Sequence, residues 1–125
     1  MTNKLNYWKA YKVMFCFLDE YWKLNQINDL ALLLGTMNPS IFKGDHPVDD
    51  QVFLDWIGII KRDNILNEEV DIEECFLCMV LFLKQEQVYY SINIQRLIDD
   101  LELIENDKGT NADLWTLWID CFLKG

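Results

Sequence analysis

Cys75 and Cys78 stand at the C-x-x-C interval used by redox and zinc sites, so they are the first residues here whose types and spacing suggest chemistry. A redox pair opens a helix after a strand, and a zinc site needs further Cys or His ligands close by. This pair instead lies inside the uncharged run from Cys75 to Leu83, between Glu74 and Lys84. His46, the one histidine, sits beside Asp45 without a partner that would make it a base, and Ser40 has no nucleophile-elbow setting. The five glycines never cluster into a phosphate cradle. Carboxylates gather at Asp45, Asp49 and Asp50, from Glu68 to Glu74, and from Asp99 to Asp107, but none of these groups has the alternating spacing and central glycine of a calcium loop. No catalytic residue, metal or cofactor is expected, and the chain reads as a binding protein rather than an enzyme.

Charge narrows what it binds. With 21 Asp and Glu against 11 Lys and Arg, the formal charge is −10, which repels nucleic acid and anionic membrane and suits a basic protein. The longest uncharged runs, Cys75 to Leu83 and Leu30 to Phe42, fall short of the roughly 20 apolar residues of a membrane span. Lys12 interrupts the first apolar segment and Asp19 and Glu20 close it, unlike a signal peptide. A cytoplasmic location with reduced thiols at Cys16, Cys75, Cys78 and Cys121 is therefore expected.

The elements that must carry these residues are helices. At 51% hydrophobic residues, the 125-residue chain can build a core as a single domain. Apolar residues at Tyr7, Ala10, Tyr11, Met14, Phe17, Leu18, Tyr21 and Trp22 follow the i, i+3, i+4, i+7 spacing of a helix face, widened by Val13, Phe15 and Cys16. A second helix begins near Asn28 or Asp29 and stops at Pro39, and Phe42 to Val48 reads as a loop. Asp49 or Asp50 caps a third, with Val52, Phe53, Trp56, Ile57 and Ile60 inward. The fourth carries Ile72, Cys75, Phe76, Met79, Phe82 and Leu83, with acids crowding its first turns. Ser91 or Asn93 caps a fifth through Leu97, Leu101 and Ile104, and Asn111 caps a sixth through Trp115, Trp118 and Phe122. No strand is required, although Val88 to Tyr90 has extended propensity.

The two halves echo each other. At an offset of 65, Ala10, Tyr11, Met14, Phe17 and Leu18 answer Cys75, Phe76, Met79, Phe82 and Leu83; with small shifts, Leu33 answers Leu97, Phe53 answers Trp115, and Trp56 answers Trp118. The expected architecture is all-α: about six helices as two tandem three-helix repeats, 1–65 and 66–125. Central helices at about 6–22 and 70–85 are expected to pack on each other about a pseudo-twofold axis. Every cysteine aligns with an apolar residue of the other half, which assigns all four to the core. Trp8, Tyr21 and Trp22 align with Glu73, Glu86 and Gln87, a contrast that marks rim positions. Residues 1–65 hold 7 basic and 8 acidic side chains and residues 66–125 hold 4 and 13, so nearly all the negative charge lies in the second half.

The pattern of Ala10, Tyr11, Met14, Phe15, Phe17 and Leu18, followed by Leu33-Leu34-Gly35 and Asp55-Trp56, resembles small helical bacterial proteins of the contact-dependent growth inhibition immunity type. The resemblance covers mainly the first 60 residues and implies a cytosolic protein that binds one nuclease toxin domain and masks its active site. The expected function is therefore an immunity or antitoxin-type inhibitor of a basic toxin, acting as a monomer or weak dimer, with an acidic regulatory adaptor or nucleic-acid mimic as the alternative. Expected partner-binding residues are Asp99, Asp100, Glu102, Glu105 and Asp107, with Glu69, Glu73, Tyr89, Tyr90 and Trp22. Asp99, Glu102 and Glu105, spaced i, i+3, i+6, are expected to project together.

Overall fold

The computed structural model describes residues 4–37, 42–43, 46–47, 51–63 and 69–124. The chain is mostly helical. Six α-helices occur among the described residues: α1 (Tyr7–Leu24), α2 (Asn28–Met37), α3 (Gln51–Asp63), α4 (Ile72–Tyr89), α5 (Gln95–Asn106) and α6 (Ala112–Lys124). A 3₁₀ turn, Lys108–Asn111, leads into α6.

Two-residue strands also occur, against expectation. β1 (Leu5–Asn6) pairs antiparallel with β4 (Glu69–Val70), setting Leu5 opposite Val70, and β2 (Phe42–Lys43) pairs with β3 (His46–Pro47). Such short pairings leave no period-2 pattern to read. Val88 and Tyr89, by contrast, are helical and Tyr90 is a turn residue. The Asp49 or Asp50 cap, Ser40, and Gly44, Asp45 and Val48 of the Phe42 to Val48 loop lie outside the described residues, whereas the rest of that loop forms β2 and β3.

Local chemistry accounts for the helix starts. Asn6 caps α1 by accepting from the Lys9 N–H at 2.9 Å. Asp71 caps α4 in a full capping box, accepting from Glu74 N at 2.8 Å while the Glu74 carboxylate accepts from Asp71 N at 3.2 Å. Asn111 accepts from Leu114 N at 3.1 Å, as expected for the start of α6. α5 departs from expectation: its N-cap is Ile94, and the Ile94 N–H is satisfied at 2.8 Å by the Gln87 side chain of α4. Ser91 instead takes a positive φ of 52° in the turn between α4 and α5.

α1 packs most extensively on α6 and α2, and α4 on α3 and α5. The principal neighbours of the two long helices are thus the shorter helices rather than each other, and a helix apolar over most of its circumference is served by partners on several sides. Their buried residues join one core with α2, α3, α5 and α6.

The core is tied by matched polar and aromatic contacts. Trp56 Nε1 donates to Tyr7 O at 3.0 Å, and Trp118 Nε1 donates to Ile72 O at 3.0 Å. Each bond spares a buried donor the roughly 1–3 kcal/mol of being left unpaired. Phe17 meets Trp118 edge-on at 5.4 Å between centroids, and Phe82 meets Trp56 edge-on at 5.7 Å. Tyr11 meets Phe53 and Phe76 meets Trp115, both at 5.2 Å.

Candidate functional site

The second half folds so that acidic residues from two helices rim one apolar groove. Glu73 and Glu74 arrive on the first turn of α4, where the capping box fixes the helix start and the dipole favours negative charge. Glu105 arrives on the last turn of α5, and Trp115 from α6. Together with Phe76, Leu77 and Ile104 they enclose about 300 Å³. The floor is built by ring contacts, with Phe76 edge-on to Trp115 at 5.2 Å and to Trp118 at 5.5 Å. Leu77 is 41% exposed within it. Apolar floor and carboxylate rim together suit a long side chain with a cationic head.

The first-half residues that align in sequence with this groove pack on one another. There Trp8 stands where Glu73 does, Tyr11 at Phe76, Lys12 at Leu77 and Phe53 at Trp115. The Trp8 ring lies nearly parallel to Tyr11 at 6.2 Å and edge-on to Phe53 at 5.4 Å, and Lys12 Nζ sits 5.4 Å from the Trp8 centroid. At these sequence-aligned positions a flat ring thus lies under an ammonium group.

Of the expected partner-binding residues, the structure brings Glu73 and Glu105 together in this groove. The others are dispersed or internally engaged. Asp100 accepts from the Tyr21 hydroxyl at 2.7 Å, and Glu102 pairs with Lys84 of α4 at 3.1 Å. Asp99 is exposed and accepts from Gln95 Nε2 at 2.8 Å. Along α5, Asp99 and Glu105 are exposed, and Glu102 between them is partly exposed beside the Lys84 cation of α4. Asp107 closes α5 and accepts from Gly109 N at 2.9 Å, and exposed Glu69 lies in β4.

Tyr89, 67% exposed, and Tyr90 pack edge-on at 4.8 Å between centroids. Tyr90 also borders a separate apolar cavity of about 230 Å³ with Leu32, Leu33, Thr36 and Ile92. Trp22 is half-buried on α1, with its Nε1 unbonded among the described residues.

Cys75 and Cys78 are buried in α4. Burial, with Cys78 and Asp71 nearby, pushes the Cys75 thiol well up from its ordinary value, which opposes thiolate chemistry. Among the described residues, no three His, Cys, Asp or Glu side chains gather in a metal-holding group.

Two features escaped the sequence. Trp115 reads as one more residue of a core stripe, and its role as a groove wall depends on where α5 ends. Glu86 reads as a rim position because it aligns with Tyr21, yet both are buried: Glu86 is 0% exposed and Tyr21 is 1% exposed. The rim expectation fails there because α3 covers that end of α4. Comparison of the chain with family models, with curated proteins and with solved structures finds no match.

Proposed function

We propose that this protein is a non-enzymatic module that binds a basic protein, with the groove between α4, α5 and α6 as its anchor for an arginine or lysine side chain. The observation that carries this reading is the apolar floor of Phe76, Leu77 and Trp115 under the carboxylates of Glu73, Glu74 and Glu105. The Lys12 ammonium over Trp8 at the aligned position supports a cation as the occupant. In its specific form the partner is a nuclease toxin domain, whose nucleic-acid-binding surface supplies such side chains and is masked when they are held. The excess acid of residues 66–125 would speed and orient the encounter.

The fold belongs to the same proposal: two copies of a three-helix unit related by a pseudo-twofold axis, making one domain. It is supported by the exchanged contacts Phe17 to Trp118 and Phe82 to Trp56, the reciprocity expected of a self-complementary interface. Pairing of Leu5 with Val70, aligned with each other at the offset of 65, is the contact such an axis would produce and supports it. In this reading duplication supplied the scaffold. Divergence at Trp8 and Glu73 then opened one groove.

The test is co-expression with the product of the neighbouring reading frame, followed by titration of the purified pair. A stable complex is expected, with affinity falling steeply with salt and reduced on the order of tenfold or more by Glu73→Lys with Glu105→Lys. A neighbouring product that forms no complex, or a complex indifferent to both reversals, overturns the proposal.

A further inference from the structure

Cys16 of α1 and Cys121 of α6 are 105 residues apart in sequence, yet their Sγ atoms lie 3.0 Å apart. A disulfide needs a sulfur separation of about 2.05 Å, so the two atoms lack only about 1 Å of approach. The helices that carry them are already packed together. Access is asymmetric. Cys16 is half-buried and Cys121 is 3% exposed.

Both sulfurs border a surface cavity of about 280 Å³ that is also lined by Lys9, Lys12 and Lys124. In a chain of net charge −10, three lysines lining the cavity beside the thiol pair outnumber the one carboxylate, Glu20, that acts on Cys121, and make a locally basic patch. Such a patch draws anions to the sulfurs. Cys75 and Cys78 are buried in the N-terminal half of α4.

We propose that Cys16 and Cys121 are a redox-active pair that closes to a disulfide, with an anionic low-molecular-weight disulfide of the glutathione type as oxidant. The Cys16 thiol loses its proton to solvent, and its sulfur attacks one sulfur of the oxidant. A mixed disulfide forms, the oxidant's S–S bond breaks, and the first thiolate leaves and takes up a proton. Cys121 Sγ then attacks Cys16 Sγ and gives its proton to the departing second thiolate. Two protein thiols lose two electrons in all, and one oxidant becomes two thiols. The order follows from access: burial first, and the neighbouring Cys16 thiol next, push the Cys121 thiol up to about 12, so Cys16 is the attacking sulfur. The closed bond ties α1 to α6. This inference does not depend on the groove or on the identity of its partner.

The full chain, incubated with glutathione disulfide and then alkylated, tests the proposal by intact mass and peptide mapping. The expected product has lost two hydrogens, joins the Cys16 and Cys121 peptides, and leaves Cys75 and Cys78 as thiols. Cys121→Ser is expected to stop at one glutathione on Cys16, and Cys16→Ser is expected to form no disulfide at Cys121. Reversing Lys9 and Lys124 to Glu is expected to slow the reaction several-fold with glutathione disulfide and leave it unchanged with neutral hydroxyethyl disulfide. Four thiols still alkylated after excess oxidant, or a bond between any other pair, overturns the proposal. Equal slowing with both oxidants overturns the anionic-oxidant assignment. Circular dichroism of each variant establishes that it is folded, and Cys16→Ala supplies a second substitution at the more exposed site.

Discussion

Glu86 is the one buried polar or charged residue among those described, and it occupies the last turns of a core helix. Neither of its carboxylate oxygens meets a donor among the described residues, and the group beside it is the Asp55 carboxylate of α3. Burial first, and Asp55 second, push Glu86 up from 4.5 to about 8. At neutral pH it is thus held mainly as the acid, able to donate to Asp55. The folded state keeps a proton that the unfolded chain releases above about pH 4.5. Stability associated with this residue is therefore greatest in acid and declines as pH rises from about 4.5 to about 8, on the order of a few kcal/mol in total. Glu86→Gln keeps a donor for Asp55 at every pH. Urea unfolding at pH 5 and pH 9 should show this variant close to the parent in acid and more stable than it in base. An equal difference at both values would falsify the assignment.

Among the elements, α4 carries both the core and the groove, and its N-terminus shows how they are joined. The reciprocal bonds of Asp71 and Glu74 fix where the helix begins, which fixes Glu73 one residue before Glu74 on the exposed side of the first turn. Asp71→Ala should cost about 0.5–2 kcal/mol of stability, read from the urea midpoint, and should speed hydrogen exchange at the Glu74 amide. A slower exchange there would contradict the cap. Helix identity was readable in the sequence because each stripe repeats locally, as Leu97, Leu101 and Ile104 do on α5. Its cap was not readable, because the acceptor for Ile94 N belongs to Gln87 on another helix. The same limit hid β1 and β4, two-residue strands whose pairing joins Leu5 to Val70.

At the scale of the molecule, contacts between the halves decide cohesion. α1 packs on α6 and α3 packs on α4, so a chain cut between residues 65 and 66 would expose apolar surface on both fragments. Fragments 1–65 and 66–125 should each be largely unfolded alone and should gain helix on mixing, measured by circular dichroism. Cooperative melting of either fragment by itself would refute the single-domain proposal. The exchanged ring pairs are expected to contribute comparably. Double-mutant cycles on Phe17 with Trp118 and on Phe82 with Trp56 should each give a coupling of about 0.5–1.5 kcal/mol.

By itself the sequence determined the helical class, the inward stripe of each helix and the concentration of acid in residues 66–125, since periodicity and composition act within a few residues of chain. It also placed Cys75 and Cys78 in the core, through the apolar run around them. Tertiary structure alone decided how the carboxylates are distributed. Tyr21 engages Asp100 and Lys84 engages Glu102, while Glu73 and Glu105 meet at one groove. It likewise decided that Glu86 is buried and that Cys16 lies against Cys121. The physical reason is common to these cases. A local pattern tells a helix which face to bury, whereas the partner of that face is chosen by packing between segments far apart in the chain.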